Sequence, residues 1–386
     1  MNRRQIPLFI LLLFLIGALG VGLYGRFMYT PKEEEVAVEE TPEPTPIPTP
    51  EEYHASLLFA GDALLHGAVY VDAAVGDGTY DFHEQLEPLR DWVSKYDLAY
   101  YNQETILGGC ELGLSTYPTF NSPQEFGDAM VDLGFNMVST ANNHSLDVGE
   151  EGIIRSKEYW SKQTGVVEAG TNLSFEEQNA IPVYECNGIT YTFLSYTYGM
   201  NGLYPPEGKE YLVNDYPGHE DEIIEKIKEA KQKVDVVIMA MHWGIEYSME
   251  PSEEQRDLAR RMAEAGADII IGNHPHVIQP AEWIGDSICF YAMGNTISAQ
   301  EGIERLIGMI GGLDITKTVL NGETTIKIDN VRADLIFTYY DGAYRNFKVY
   351  PFEKLDDSIL NNHQEIYQDY IQVITELDPN IQIGGL

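Results

Sequence analysis

Cysteine is scarce in this chain of 386 residues, which contains Cys110, Cys186 and Cys289. They form no Cys-x-x-Cys pair, and their spacing matches no zinc-binding or disulfide framework. We predict that they are buried free thiols, because unreacted cysteine behaves as a small hydrophobic residue. The sequence therefore gives no sign of a cysteine-ligated metal or of a disulfide-stabilised scaffold.

Basic residues are also few, with 24 Lys and Arg against 61 Asp and Glu and a formal net charge of -37. Binding to nucleic acid requires basic patches that neutralise phosphates, so the charge argues against nucleic acid as a partner. Three common enzyme motifs are missing as well: the phosphate-binding G-x-x-x-x-G-K-[ST], the nucleophile elbow G-x-S-x-G and the zinc-binding H-E-x-x-H.

Charge is absent from residues 6–25, which follow Arg3 and Arg4. About 20 apolar residues span a bilayer, and the basic flank stays in the cytoplasm. We predict a cytoplasmic tail at 1–5 and an uncleaved transmembrane signal anchor at 6–25, which places the rest of the chain outside the cell membrane. A cleaved signal peptide is the alternative, although its apolar region would be shorter.

Residues 31–52 are rich in proline and glutamate. Such a segment cannot bury apolar surface and is stiffened toward polyproline II, so we predict a stalk. Without the first 52 residues, 20 Lys and Arg stand against 53 Asp and Glu, so the acidity belongs to the folded part. We divide that part into a main domain at 53–352 and a C-terminal helical extension at 353–386.

Strands and helices alternate from residue 53 onward, as in α/β domains. Helical periodicity is present at 84–95 and 253–265, and Asn-Gly pairs at 187–188 and 321–322 indicate hairpins. We expect one α/β domain with a mixed sheet and a β-rich end. Apolar runs predict buried strands at 57–60, 98–101, 137–140, 234–240 and 268–271.

Each of these five predicted strands is followed by polar residues that can bind metal. Because the carboxyl ends of parallel strands meet at one edge of a sheet, we expect these residues to lie together. Singly, each has an ordinary alternative as a cap, a turn former or a buried histidine. The residues are Asp62, Glu104, Asn143, His144, His242, His274 and His276.

Mixed nitrogen and oxygen donors with a carboxylate able to bridge are typical of a two-metal hydrolytic site, whereas structural zinc prefers four Cys or His ligands. Imidazole suits zinc, manganese or iron, so the predicted cofactors are divalent ions of this group. Two such ions activate water and stabilise an oxyanion. His144, next to the candidate ligand Asn143, is placed to protonate a leaving group.

Six segments of the chain resemble, in order, the motif series of the CapA/PgsA family of bacterial capsule and poly-γ-glutamate synthesis proteins. The Asn-Asn-His and His-Pro-His motifs are specific. The resemblance implies a metallophosphoesterase-like four-layer α/β/β/α sandwich in a membrane-anchored protein whose domain lies outside. The segments are 61–62, 102–104, 141–149, 242–247, 266–277 and 291–295.

The same resemblance implies roles for single residues, with Glu104 as the bridging ligand and His144 as the general acid. Asp147 and Glu246 are candidates to orient histidines, or else exposed turn residues. The chain departs from the superfamily pattern twice, since no histidine stands two residues after Asp62 and glutamate replaces aspartate at 104. These departures leave open whether both metals bind and whether the chain is an enzyme. The implied metal ligands are Asp62, Glu104, Asn143, His242, His274 and His276.

Three functions remain open. The first is a membrane-anchored CapA-type protein for the synthesis, export or anchoring of capsule or poly-γ-glutamate. The second is a secreted metal-dependent phosphoesterase or other hydrolase unrelated to capsule. The third is a non-catalytic scaffold of a polymer synthase complex. The expected partners are an anionic polymer such as poly-γ-glutamate and other membrane subunits of the synthase.

Overall fold

The structure is a computed structural model that describes residues 13, 15–18 and 49–386. The predicted cytoplasmic tail, most of the signal anchor at 6–25 and most of the stalk at 31–52 lie outside the described residues, so these assignments stay predictions. Among the residues that are described, no helix has the length and apolar character needed to cross a membrane.

The strands and helices of residues 49–386 alternate through most of the chain. The strands are β1 (Glu51–Ala63), β2 (Leu98–Asn102), β3 (Met137–Ser139), β4 (Val167–Ala169), β5 (Tyr184–Cys186), β6 (Ile189–Thr197), β7 (Val236–His242), β8 (Ile269–Asn273), β9 (Ala281–Ile284), β10 (Ser287–Phe290), β11 (Asn295–Ile297), β12 (Ile307–Leu320), β13 (Glu323–Tyr339), β14 (Lys348–Pro351) and β15 (Gln382–Ile383). The α-helices are α1 (Gly67–Asp72), α2 (His83–Leu86), α3 (Arg90–Val93), α4 (Glu125–Leu133), α5 (Gly149–Trp160), α6 (Phe175–Asn179), α7 (Glu220–Lys231), α8 (Glu253–Ala265), α9 (Ile303–Leu306) and α10 (His363–Ile374).

The strands of this region form two sheets. The first follows the order β14-β13-β12-β1-β2-β3-β4, with β11 beside β1 and β15 beside β13. The second follows the order β5-β6-β7-β8-β10-β9, in which β6, β7, β8 and β10 are parallel. In the first sheet β1 to β4 are parallel, and Asp62 at the end of β1 lies opposite Asn102 at the end of β2.

Alternate residues along the central strands belong to different hydrophobic clusters. Phe59 of β1 and Tyr100 of β2 face the second sheet, where they contact the rings of Phe290 and Phe193 with centroid distances of 4.7 and 5.6 Å. The residues next to them face outward and pack against α2 to α5, and those of β7 pack against α7 and α8. Strands covered on both faces have uninterrupted apolar sequences, as these do.

The mixed α/β architecture is confirmed. The strand pattern suggests one mixed sheet, but the strands divide between two sheets, the number that the four-layer arrangement implied by the resemblance contains. The helix expected at 84–95 is interrupted by a 3₁₀ turn, Glu87–Leu89. Pro88 lacks the N–H that a continuous helix needs there. β1 begins at Glu51, inside the segment assigned to the stalk, and β15 adds a C-terminal strand that the sequence did not suggest.

The free state of the three cysteines is confirmed, since the structure contains each as a free thiol. Their predicted burial holds fully for Cys289 alone. Cys186 is half-buried, and Cys110 is exposed at the start of the 3₁₀ turn Cys110–Leu112. The prediction of burial was therefore wrong for Cys110.

Candidate metal centre

Asp62 is fully buried near the end of β1. Its carboxylate accepts hydrogen bonds from Asn102 Nδ2 at 2.7 Å and from the backbone N–H of His274 at 3.1 Å. Gly61 permits the close approach of another segment, because a Cβ there would lie 1.9 Å from the Gly294 carbonyl oxygen. These contacts fix the Asp62 carboxylate and join the first sheet to the turn that follows β8.

Glu104 follows β2 and is also fully buried. Within residues 49–386, neither of its carboxylate oxygens has a hydrogen-bond partner. Burial raises the pKa of Glu104 well above its ordinary value, although the adjacent His276 acts in the opposite direction. A buried carboxylate without donors is costly unless a cation lies beside it. A bound cation would remove that cost.

The turn after β8 aims two histidines at this carboxylate from a strained backbone. His274 has φ 100° and His276 has φ 58°, in the left-handed region that non-glycine residues seldom adopt. Such residues cost about 1–3 kcal/mol each and persist only where the surroundings hold them. Here the carbonyl of Pro275 accepts a hydrogen bond of 2.7 Å from the backbone N–H of Tyr247.

His242 is the last residue of β7 and brings a third imidazole to the site. Its Nε2 lies 2.9 Å from Asn143 Oδ1 and 3.7 Å from Glu104 Oε1, and its ring lies 4.8 Å from that of His274. Burial, with the other histidines adding to it, lowers the pKa of His242 well below its ordinary value and that of His274 to about 3. Both imidazoles are therefore neutral at pH 7, which is the form that binds metal.

His276 lies between the two carboxylates. Its Nε2 is 3.6 Å from Glu104 Oε1, and its Nδ1 is 3.6 Å from Asp62 Oδ2 and 3.0 Å from Asn295 Oδ1. Burial acts to lower the pKa of His276, but the two carboxylates and Asn295 outweigh it and raise the pKa to about 9. In the metal-free chain the imidazolium supplies positive charge here, and a bound metal would displace its proton.

Two sets of donor atoms result, each with its atoms within 4.8 Å of one another. The first set is Glu104, His242 and His274, and the second is Asp62, Glu104 and His276. Asn143 Oδ1 adds an oxygen beside the first set. Glu104 belongs to both sets, as a bridging ligand would, and Nδ1 of His274 lacks a hydrogen-bond partner among the described residues. The donors fit divalent ions of the zinc, manganese or iron type.

His144 and Asp147 form a buried pair beside the donor sets. His144 Nδ1 lies 2.7 Å from Asp147 Oδ2, and the two side chains are 8% and 1% exposed. Asp147 also accepts a 2.6 Å hydrogen bond from the backbone N–H of Phe120, whose ring packs edge-on against the imidazole at 4.7 Å. A carboxylate bonded to one ring nitrogen fixes the tautomer of a histidine. The structure thus places Asp147 in contact with His144 rather than on an exposed turn.

Glu246 and His66 are placed differently from the others. Glu246 lies exposed on the turn after β7 and forms no hydrogen bond with a histidine among the described residues, although its charge helps to raise the pKa of Glu104. It is therefore an exposed turn residue. His66 is outside both donor sets, and its Nδ1 faces the carbonyl of Leu64 at 3.2 Å. His66 does not replace the histidine that is missing after Asp62.

Three residues beside the donors were not among the candidate site residues, although Asn102 and Asn295 fall in segments that carry the family resemblance. Asn102 binds Asp62, Asn295 binds His276, and the ring of Tyr198 lies 4.5 Å from that of His274. Asn102 ends β2, and Asn295 pairs with Asp62 between adjacent strands. The rule that identified Asp62, a polar residue at the end of an apolar strand, would also have identified Asn102. No sequence signal indicated Tyr198.

The model of the family described as "Bacterial capsule synthesis protein PGA_cap" matches residues 56–300. Two curated relatives come from Bacillus. "PGA biosynthesis protein CapA" of Bacillus subtilis (strain 168) is 36% identical over 170 residues, which are 44% of this chain and 44% of that protein. "Capsule biosynthesis protein CapA" of Bacillus anthracis is 31% identical over 189 residues, 47% of this chain and 44% of that protein. The matched region thus spans less than half the length of each relative.

Among solved structures, the Thermus thermophilus sulfate thiohydrolase SoxB in complex with glycerol has a TM-score of 0.42 to this chain at 14% sequence identity. The superposition covers 82% of this chain and 61% of that one. A score of this size is too low to assign a shared fold.

Proposed function

The chain belongs to the PGA_cap family of bacterial capsule synthesis proteins, and from this membership we propose that it serves the synthesis, export or anchoring of a capsule polymer such as poly-γ-glutamate. We place it in the cell membrane through residues 6–25, with its domain outside and with other membrane subunits of a polymer synthase as partners. The proposed centre holds two divalent ions in a metallophosphoesterase-like, four-layer domain. The names of the two Bacillus relatives support the polymer assignment.

One observation carries the proposal of a metal centre. Glu104 is fully buried, is common to both donor sets, and has no hydrogen-bond donor among the described residues on either oxygen. A structural carboxylate in such a place would be hydrogen-bonded. The ligands proposed for the two ions are Asp62, Glu104, Asn143, His242, His274 and His276.

When bound, the two ions would lower the pKa of a water molecule and stabilise negative charge on a substrate oxygen. The residues of the chain provide the rest of the chemistry. Asp147 fixes His144 through Nδ1, so Nε2 of that ring is the atom that can give a proton to a leaving group. Asn102 and Asn295 hold Asp62 and His276 in place.

A hydrolytic role is favoured over a cleft that only holds polymer because of the His144–Asp147 pair. Gripping an anionic chain requires positive charge, whereas a histidine oriented by a buried carboxylate is the arrangement of a proton donor. In either role, the formal net charge of -37 repels an anionic polymer at long range. Bound cations would supply the local attraction.

Metal content tests the centre directly. The full-length chain, purified and incubated in turn with manganese, zinc and iron, should retain metal in elemental analysis. His274→Ala should lower the metal bound per chain, and the exposed His219, which contacts Glu222, provides the control variant His219→Ala. A native chain that retains none of the three metals would exclude the centre.

Polymer production tests the cellular role. In the native host, deletion of the gene should abolish surface polymer, and production should return with the wild-type chain and with His219→Ala but not with His274→Ala. Normal polymer in the deletion strain would instead support a secreted hydrolase unrelated to capsule.

A further inference from the structure

Arg305 lies beside the candidate metal centre and has no part in the chemistry proposed above. Its guanidinium carbon is 4.4 Å from the centroid of the Tyr247 ring. That ring lies 6.1 Å from the ring of His276. A single aromatic side chain therefore separates a cationic group from a candidate metal ligand.

Both Arg305 and Tyr247 are attached to the turn that carries the histidines. Asn295 Nδ2 donates to the backbone carbonyl of Arg305 at 2.9 Å, while Asn295 Oδ1 lies 3.0 Å from His276 Nδ1. The backbone N–H of Tyr247 donates to the Pro275 carbonyl, and Tyr247 has a φ of 66°. Two contacts therefore hold the guanidinium near His276: the hydrogen bond of Asn295 to the Arg305 backbone, and the packing of the guanidinium on the Tyr247 ring.

The guanidinium of Arg305 is incompletely paired. Its Nε is buried without a hydrogen-bond partner among the described residues, and its guanidinium forms an ion pair with the neighbouring Glu304 at 3.3 Å. By contrast, Arg90, Arg155 and Arg260 each contact two carboxylates. The Arg305 side chain is 32% exposed, so a molecule in solution can reach it.

We propose that Arg305, backed by Tyr247, binds a carboxylate of the polymer substrate next to the metal centre. The planar fork of a guanidinium matches the two oxygens of a carboxylate, and an aromatic face beneath it limits its movement. Poly-γ-glutamate has one free carboxylate on every residue, so a segment that reaches the metals presents another carboxylate nearby. The assignment rests on the proposed function, since it takes the substrate class from it.

Binding of defined oligomers to the full-length, manganese-loaded chain tests this assignment. The probes are a γ-linked glutamate oligomer, the same oligomer with its carboxylates amidated, and a phosphodiester-linked glycerol oligomer. The variants are Arg305→Gln, which removes the charge, and Arg305→Lys, which keeps the charge but not the fork. Arg155→Gln is the control, because Arg155 pairs with Glu111 and Glu151 away from the site.

We expect Arg305→Gln to weaken binding of the glutamate oligomer by roughly 10- to 100-fold, the usual loss of a charge-assisted hydrogen bond. Arg305→Lys should lose less affinity for the glutamate oligomer, and Arg155→Gln should bind that oligomer like the wild type. The wild type should bind the glutamate oligomer more tightly than its amidated form, and this difference in affinity should be smaller in Arg305→Gln. Metal content and melting temperature should stay unchanged in both Arg305 variants, which separates this site from the metal ligands.

Three outcomes would overturn the assignment. If Arg305→Gln binds the glutamate oligomer like the wild type while His274→Ala does not, Arg305 has no such role and the proposed function stands. If Arg305→Gln weakens only the phosphodiester oligomer, the site takes phosphate and the carboxylate assignment is wrong. If the loaded wild type binds no glutamate oligomer, this substrate class is rejected, while the deletion strain decides separately whether the chain serves a capsule polymer.

Discussion

Replacing Glu104 with glutamine distinguishes a bridging metal ligand from a structural carboxylate. The amide keeps the size of the side chain but removes the negative charge that both donor sets share. In the presence of metal the substitution should weaken the binding of both ions. In the absence of metal it should replace a buried carboxyl group that has no hydrogen bond among the described residues with a neutral amide. The effect on stability should therefore change sign when a chelator is added.

The expected size of the effect follows from ligand binding. An ion present at 100 times its Kd stabilises the folded state by about 2.7 kcal/mol. For a folded part of this length, 1 kcal/mol shifts the melting temperature by about 1.4 °C, so losing one ion lowers it by roughly 4 °C. In chelator, Glu104→Gln should be at least as stable as the wild type, because a neutral amide is less costly to bury without hydrogen bonds than an ionised carboxylate.

Thermal melts with and without chelator, together with elemental analysis, measure both effects. Glu168→Gln is the matched control, because Glu168 is a half-buried glutamate whose carboxylate contacts Lys157 at 2.6 Å and Thr171 at 3.0 Å. It should lower stability by the same amount in both conditions. The reasoning is refuted if chelator leaves the wild-type melt unchanged, or if Glu104→Gln is clearly less stable than the wild type in chelator.

His144→Asn should lower turnover of a phosphate ester or γ-glutamyl substrate by about 10²–10⁴ with normal metal content, whereas Asn143→Ala should lower both; undiminished turnover in His144→Asn would favour the scaffold. Protease added to intact protoplasts should remove the domain, and survival of the full-length chain would reject the predicted orientation. Burial lowers the pKa of Lys226 to about 8 from its ordinary 10.5. Stability in denaturant should therefore rise as the pH increases between these values, and Lys226→Met should flatten that rise; equal slopes would contradict the shift.

The residues of the candidate site could be predicted from the sequence because they follow one rule. Asp62, Glu104 and His242 each come at or just after the end of an apolar strand, and the structure places all three in the donor sets. The division into two sheets was not visible in the same pattern. A strand covered on both faces has the same apolar sequence whether its neighbour lies in one sheet or the other.

The contacts that support the site could not be predicted from local sequence. The link from Asn295 to both His276 and Arg305 depends on β11 lying beside β1 and on the short helix α9 folding back toward the turn after β8. Such contacts join segments that are distant in the chain, and no periodicity encodes them. The interrupted helix at 84–95 was predictable, because Pro88 is visible in the sequence and breaks backbone hydrogen bonding.

The left-handed backbone at His274 and His276 costs folding stability, while the two side chains are candidate metal ligands. Selection for metal affinity and selection for thermal stability therefore favour different residues at position 274. Glycine adopts such a conformation without strain, so His274→Gly should fold more stably than His274→Ala in the metal-free state. A library of variants sorted only for heat resistance in chelator would consequently lose His274, whose ring is neutral, but keep His276, whose imidazolium balances two buried carboxylates. The same library sorted with metal present would keep both histidines, since bound ions offset the strain.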